Sequence, residues 1–171
     1  MKLTDKEIAQ YFQRCFTAVD GLWFMKSEER FGFDTSLEVD NEVWKIFSKI
    51  QARTLKSLAK IDFEGMTALR ETLEMKFSIE GFTFEVTDIN DNGEFEINLN
   101  DCPWHTLMVK SGREHLSHKV GNVICRTEYN TWASEFGDDI HFELKSQLCA
   151  GCDNCTLRFS YGSSTKYKET I

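Results

Sequence analysis

Three cysteines fall within seven residues, at Cys149-x-x-Cys152-x-x-Cys155. Such a turn can aim several sulfurs at one centre, and thiolates are preferred ligands for zinc and for iron–sulfur clusters. A tetrahedral zinc site wants four ligands, so one must come from elsewhere. Cys125 and Cys102 are the candidates, and His105 is the third choice. We expect zinc held by Cys125, Cys149, Cys152 and Cys155. A four-iron cluster is the alternative, because CxxCxxC with a remote Cys102-Pro103 is also a ferredoxin-like pattern. Redox or nucleophilic thiols, or cysteines serving only as small apolar residues, are the other readings.

Two further groups carry chemistry. Cys102-Pro103-Trp104-His105 sets a thiol near an imidazole, a pair that could generate a nucleophile if the two side chains face one another. Cys125, Glu128, Tyr129 and Trp132 fall at i, i+3, i+4 and i+7, so one helix face would carry a thiol, a carboxylate, a phenol and an indole. Glu128 lies between Ile124 and Trp132 on a stripe expected to be buried, where a carboxylate must be paired, metal-bound or protonated. In Asp20-Gly21-Leu22-Trp23, a glycine inside a helix costs about 1 kcal/mol against alanine, which suggests a close approach there with Asp20 facing a pocket. His115, His118 and His141 sit on polar faces and read as solvated.

The elements that must position these groups are legible from periodicity. Thr4-Asp5-Lys6-Glu7 is a capping-box pattern opening a helix from about Thr4 to Glu29, with Cys15 on its apolar stripe. Gly32 and Asp34 mark a break and a new start, and Leu37 to Leu55 makes a second amphipathic stripe. A third helix follows Gly65 and stops at Gly81. The period then changes to two. Phe82, Phe84 and Val86, the turn Asn90-Asp91-Asn92-Gly93, and Phe95, Ile97 and Leu99 predict a β-hairpin. Leu107 to Val109 reads as an extended or short helical piece. A helix from Arg113 to Phe136 has a candidate kink at Gly121-Asn122, and two strands from Ile140 and from Leu157 flank the cysteine turn. Helices first and strands later predict an α+β domain, an antiparallel sheet covered by helices, over 1–162, with a polar tail at 163–171.

Composition narrows the class. With 20 Lys and Arg against 28 Asp and Glu, the net charge of −8 argues against nucleic acid as a partner. No apolar run reaches the roughly 18 residues of a membrane span, and the polar start after Met1 lacks a signal-peptide core, so we expect a cytoplasmic protein without a membrane partner.

The run Phe95-Glu96-Ile97, Cys102-Pro103-Trp104, Cys125-Arg126-Thr127-Glu128-Tyr129, Ile140-His141-Phe142-Glu143 and Cys155-Thr156-Leu157-Arg158-Phe159 resembles the L-2-amino-thiazoline-4-carboxylic acid hydrolases and their relatives. Ala18-Val19-Asp20-Gly21-Leu22-Trp23 looks like an uncharacterised bacterial and archaeal cytosolic subgroup allied to them. The chain ending is more distantly similar to the 4-vinyl reductase domain, whose relatives bind small hydrophobic ligands and include sensors with a structural zinc. The resemblance implies a ligand-binding α/β fold related to a vesicle-tethering subunit and often dimeric, hence a candidate homodimer. It maps the family's cysteines to Cys102, Cys125 and Cys155 and its acidic residue to Glu128, a glutamate where the hydrolases would carry aspartate. Cys149 and Cys152 depart from that pattern.

Three functions follow as expectations. The leading one is a metal-containing small-molecule-binding protein, with Trp23, Trp104, Tyr129 and Trp132 lining a pocket beside the zinc. The alternative is a hydrolase of a cyclic amidine such as a 2-amino-thiazoline carboxylate, with Cys102 or a metal-bound water attacking, Glu128 as base, and Asp20 or His105 orienting the substrate. The third is an iron–sulfur or thiol redox protein.

Overall fold

The computed structural model describes residues 2–162; the polar tail expected at 163–171 lies outside them. Among the described residues, five α-helices accompany one four-stranded antiparallel sheet, the α+β class expected. The chain divides into two compact units between Val43 and Trp44.

The first unit holds α1 (Asp5–Phe31) and the start of α2 (Phe33–Ala59). The capping box forms as read: the Thr4 hydroxyl accepts from the Glu7 amide while the Glu7 carboxylate accepts from the Thr4 amide at 2.7 Å. Gly32, at φ 82°, ends α1 in a conformation that favours glycine. The Ser36 hydroxyl donates to Ser27 Oγ at 2.9 Å. One expectation fails here. The α1 stripe read as core is exposed, since no residue of α1 is buried and Cys15 is itself exposed. The helical spacing was correct, but periodicity reports which face is apolar and not what covers it.

The second unit carries α3 (Met66–Glu80), β1 (Phe84–Val86), β2 (Phe95–Leu99), α4 (Pro103–Lys110), α5 (Glu114–Ser134), β3 (Ile140–Ser146) and β4 (Cys155–Tyr161). Gly81 stops α3 in the left-handed conformation, as its position suggests. Pro103 opens α4 at its first turn, where its missing N–H costs nothing, so Leu107 to Val109 are helical. α5 runs unbroken through Gly121-Asn122. Strand order is β1-β2-β4-β3. The alternation in β2 and β4 buries Phe95, Ile97, Leu99, Leu157 and Phe159 on one face, with Phe95 stacked on Phe159 at 5.0 Å. Leu69, Leu73 and Phe77 of α3 and Tyr129, Trp132 and Ala133 of α5 complete that core. The Tyr161 hydroxyl ties the sheet to α3 by accepting from the Met66 amide at 3.2 Å.

Partial burial pushes the Asp20 carboxyl in α1 up to about 6. The folded chain therefore holds this proton more tightly than the unfolded chain, whose aspartate titrates near 3.9. That contribution is fully present below the unfolded value and is lost as pH rises toward about 6. Asp20→Asn is expected to stabilise the protein at pH 7.5 by about 1–2 kcal/mol, after discounting for residual exposure. Urea midpoints at pH 4, where little change is expected, and at pH 7.5 check this; equal shifts at both would rule out ionisation as the cause.

Candidate functional site

The cysteine turn folds as a short 3-10 segment, Leu148–Ala150, closed by Gly151 at φ 87°. Its three cysteines differ in their surroundings. Cys152 is exposed. Cys155 Sγ accepts a hydrogen bond from the Leu148 amide at 3.2 Å. Cys149 packs towards α5 at Gly121, where an added Cβ would meet its sulfur at 3.0 Å and that of Cys125 at 3.9 Å. The absent side chain of Gly121 makes room for the turn. Among the described residues, no group of three or more His, Cys, Asp or Glu side chains could hold a metal ion. The expectation of a metal-containing protein with Cys125, Cys149, Cys152 and Cys155 as ligands is therefore corrected. Spacing in sequence placed the cysteines in one turn, but closeness along the chain does not by itself set the convergent geometry a metal ion needs.

Cys102, Cys125, Cys149 and Cys155 also lack the charge environment of reactive cysteines. Burial pushes Cys102 up to about 11, and the neighbouring Cys155 and Glu128 act in the same direction. Cys125 is raised further by burial and by Glu128, and burial likewise raises Cys149 and Cys155. Alkylation by iodoacetamide at pH 8 is expected to modify the exposed Cys15 and Cys152 first and Cys125 last, read by mass spectrometry over time. Labelling of Cys125 as fast as Cys152 would contradict that order.

Cys102 has a structural task. It is the N-cap of α4, its sulfur accepting from the His105 amide at 3.4 Å. The His105 imidazole points elsewhere, with Nδ1 2.7 Å from the hydroxyl of buried Ser117. The backbone of His105 meets the thiol, while its ring bonds to Ser117. Trp104 packs edge-to-face on Trp44 at 5.7 Å. Tyr129 and Trp132 lie inside the core, Trp132 with no exposed surface and its Nε1 without a hydrogen-bond partner. Trp23, in the first unit, is 74% exposed.

Glu128 is buried, as its place on the α5 stripe predicts. Its partner was not foreseen. Lys76 Nζ approaches Glu128 Oε1 to 2.9 Å and Glu80 Oε2 to 2.6 Å, joining α3 to α5 through one ammonium and two carboxylates. The approach to Glu128 is close but poorly directed, leaving Oε1 without an aligned hydrogen bond. Burial pushes the Glu128 carboxyl above its ordinary range, and Lys76 holds it back. Burial also works against the Lys76 charge, but Glu128 and Glu80 outweigh it and raise the lysine. The ammonium further lies 5.3 Å from the Phe77 ring centroid and 5.9 Å from that of Tyr129. The missed signal was Lys76 itself, three residues after Leu73 on the apolar face of α3 and four before Glu80.

A groove of about 270 Å³ opens between the later part of α2 and the end of α3. Lys76, Glu80 and Gln51 line it together with Phe47, Ile50 and Ile79. Gln51 Nε2 donates to Glu80 Oε1 at 3.0 Å, which fixes the amide orientation and leaves Gln51 Oε1 buried without a donor.

The chain is similar in fold to two solved structures of low sequence identity. One is a trafficking protein particle complex subunit 3 from Naegleria fowleri covalently bound to palmitic acid, with TM-score 0.51, 14% identity, and 96% of this chain and 100% of that chain covered. The other is the phenol-responsive sensory domain of the transcription activator PoxR with phenol, with TM-score 0.51, 13% identity, and 84% of this chain and 73% of that chain covered. At these identities the likeness shows the fold alone. No curated protein matches by sequence. The family model of L-2-amino-thiazoline-4-carboxylic acid hydrolase matches residues 5–159, nearly the whole described chain, and the chain belongs to that family.

Proposed function

We propose that the protein hydrolyses a cyclic amidine carboxylate of the 2-amino-thiazoline type. The observation that carries this reading is the family match across residues 5–159. The site supports it with an acid–base group of the required kind. Opening the ring needs water to add at the amidine carbon, one proton to leave that water, and one to reach the departing ring nitrogen. A single carboxyl with a raised pKa can do both in turn. Glu128 is that group in this proposal, since burial raises it and Lys76 lies at its oxygen. Lys76 supplies the positive charge that faces the Glu128 and Glu80 carboxylates. Cys102, a neutral thiol capping α4, is assigned no attack on the substrate.

Turnover of 2-amino-thiazoline-4-carboxylate tests the proposal. Glu128→Gln is expected to lower kcat by about 10²-fold or more, the typical contribution of a general base, while far-UV and near-UV circular dichroism stay native. No turnover by the wild-type protein, or equal turnover by the variant, overturns it.

A homodimer is also proposed, supported by the exposed apolar residues Tyr11, Phe12, Leu22 and Trp23 of α1, each more than half exposed. Sedimentation at micromolar concentration should give about twice the chain mass of 19.9 kDa. A monomer that persists at higher concentration sinks this proposal.

A further inference from the structure

α2 is one unbroken helix, Phe33–Ala59, so spacing along it fixes which side chains share a face. One face is accounted for by Leu37, Trp44 and Ala52, all buried. At about 100° per residue, the opposite face carries Val39, Val43, Ile46 and Ile50, each more than half exposed. A helix on the outside of a core needs a single apolar stripe, and this one has two. The second stripe steps by four, three and four residues, the alternation of a and d positions along the seam between two paired helices, and all four of its side chains are β-branched.

The charges beside that stripe select its occupant. On one flank Glu38 and Glu42 are followed by Lys45 and Lys49, all four exposed, and among the described residues none of the four is in an ion pair. Glu38 with Glu42, and Lys45 with Lys49, are like charges four residues apart, a spacing that weakens a helix on its own. The helix dipole does not explain the segregation, because its influence fades within the first and last turns and these residues lie mid-helix. An antiparallel second copy of α2 does explain it. A two-fold axis between Trp44 and Lys45 sets Val43 against the partner's Ile46 and Val39 against the partner's Ile50, and lays each acidic stretch beside the partner's lysines. A parallel pair would instead set Glu42 beside the partner's Phe47 and Lys49 beside the partner's Thr54, leaving both charge clusters uncompensated.

We propose that α2 is a self-recognition surface: two copies of this chain pair through Val39, Val43, Ile46 and Ile50 of antiparallel α2 helices, with Glu42 of each beside Lys49 of the other. The inference deepens the homodimer reading, on which it rests for the existence of a pair, by giving that pair a surface and an orientation.

Sedimentation equilibrium of the full chain over a range of concentrations gives the dimer dissociation constant, with far-UV circular dichroism and thermal midpoints to show that each variant stays folded. Ile46→Glu places a charge at the centre of the seam in both copies and is expected to weaken the dimer about a hundredfold or more. Glu42→Lys alone and Lys49→Glu alone should each weaken it about tenfold, since each sets like charges against one another at two symmetry-related contacts. Glu42→Lys combined with Lys49→Glu should return the constant to within about threefold of wild type, because the pairs reform with their signs exchanged. Should Ile46→Glu not fold, these three charge variants, at positions exposed in the chain, carry the test. A dimer unchanged by Ile46→Glu, single reversals that leave it unchanged, or a combination that restores nothing overturns the inference while the homodimer reading stands. A wild-type chain that is monomeric at every concentration overturns both.

Discussion

Lys76→Ala is expected to destabilise the protein by about 3–5 kcal/mol, the usual cost of removing one partner from a buried ion pair. The reason is what remains behind. Glu128, with an 8% exposed side chain, would keep a carboxylate in the core with the Lys76 ammonium gone. Protonation would lessen the loss, because burial already raises this carboxyl. The variant should therefore recover part of its stability between pH 7 and pH 5 relative to wild type. Lys76→Met combined with Glu128→Gln should lose less than the alanine variant, since the more buried carboxylate is neutralised along with the ammonium and the one that stays, Glu80, is the more exposed of the two. Urea unfolding of the three proteins at both pH values measures this. A loss below about 1 kcal/mol for Lys76→Ala would mean that water solvates Glu128, contrary to its burial.

Phe77→Ala is the second large effect, at about 3–5 kcal/mol, typical of truncating a buried aromatic residue. Phe77 is fully buried and meets the rings of Phe82, Phe84 and Tyr129 at 5.1, 5.7 and 5.9 Å. It thus joins α3 to the start of the sheet and to α5, and few neighbours can collapse into the space without breaking another contact. Phe77→Leu should cost clearly less, because most of the volume stays. Thermal and urea midpoints for both variants, with near-UV circular dichroism to report aromatic packing, check the order. Equal losses would point away from a cavity and towards a specific ring contact.

The elements were readable because their punctuation is local. Thr4 and Glu7 cap α1, Gly81 stops α3, and the alternation of Phe95, Ile97 and Leu99 matches a strand with one buried face. Each signal depends on residues within a few positions. Pro103 was ambiguous because it both interrupts a strand and opens a helix, and only the Cys102 cap decides between them. The α1 stripe shows the opposite limit, since a face can be apolar in sequence and still lie open. At the site, Glu128 stood out as a carboxylate on an apolar stripe, whereas its counter-ion lies 52 residues earlier on another helix. No local spacing pairs them. The cysteines misled for the same reason: closeness in sequence set the turn, but the surroundings of each sulfur come from elsewhere, the Leu148 amide for Cys155 and the space left at Gly121 of α5 for Cys149.

The strand order β1-β2-β4-β3 bears on how the protein is made. β4 pairs with both β2 and β3, yet it is the last of the four to leave the ribosome. Until Cys155–Tyr161 emerges, β3 has no partner and β2 exposes one edge, together with the apolar face that later meets α3 and α5. Domain closure therefore waits on contacts between residues some sixty positions apart, such as Phe95 with Phe159, a slow topology for a chain of this size. During that interval the nascent protein is an open sheet edge beside bare aromatic residues, the state in which chaperone binding or aggregation competes with folding.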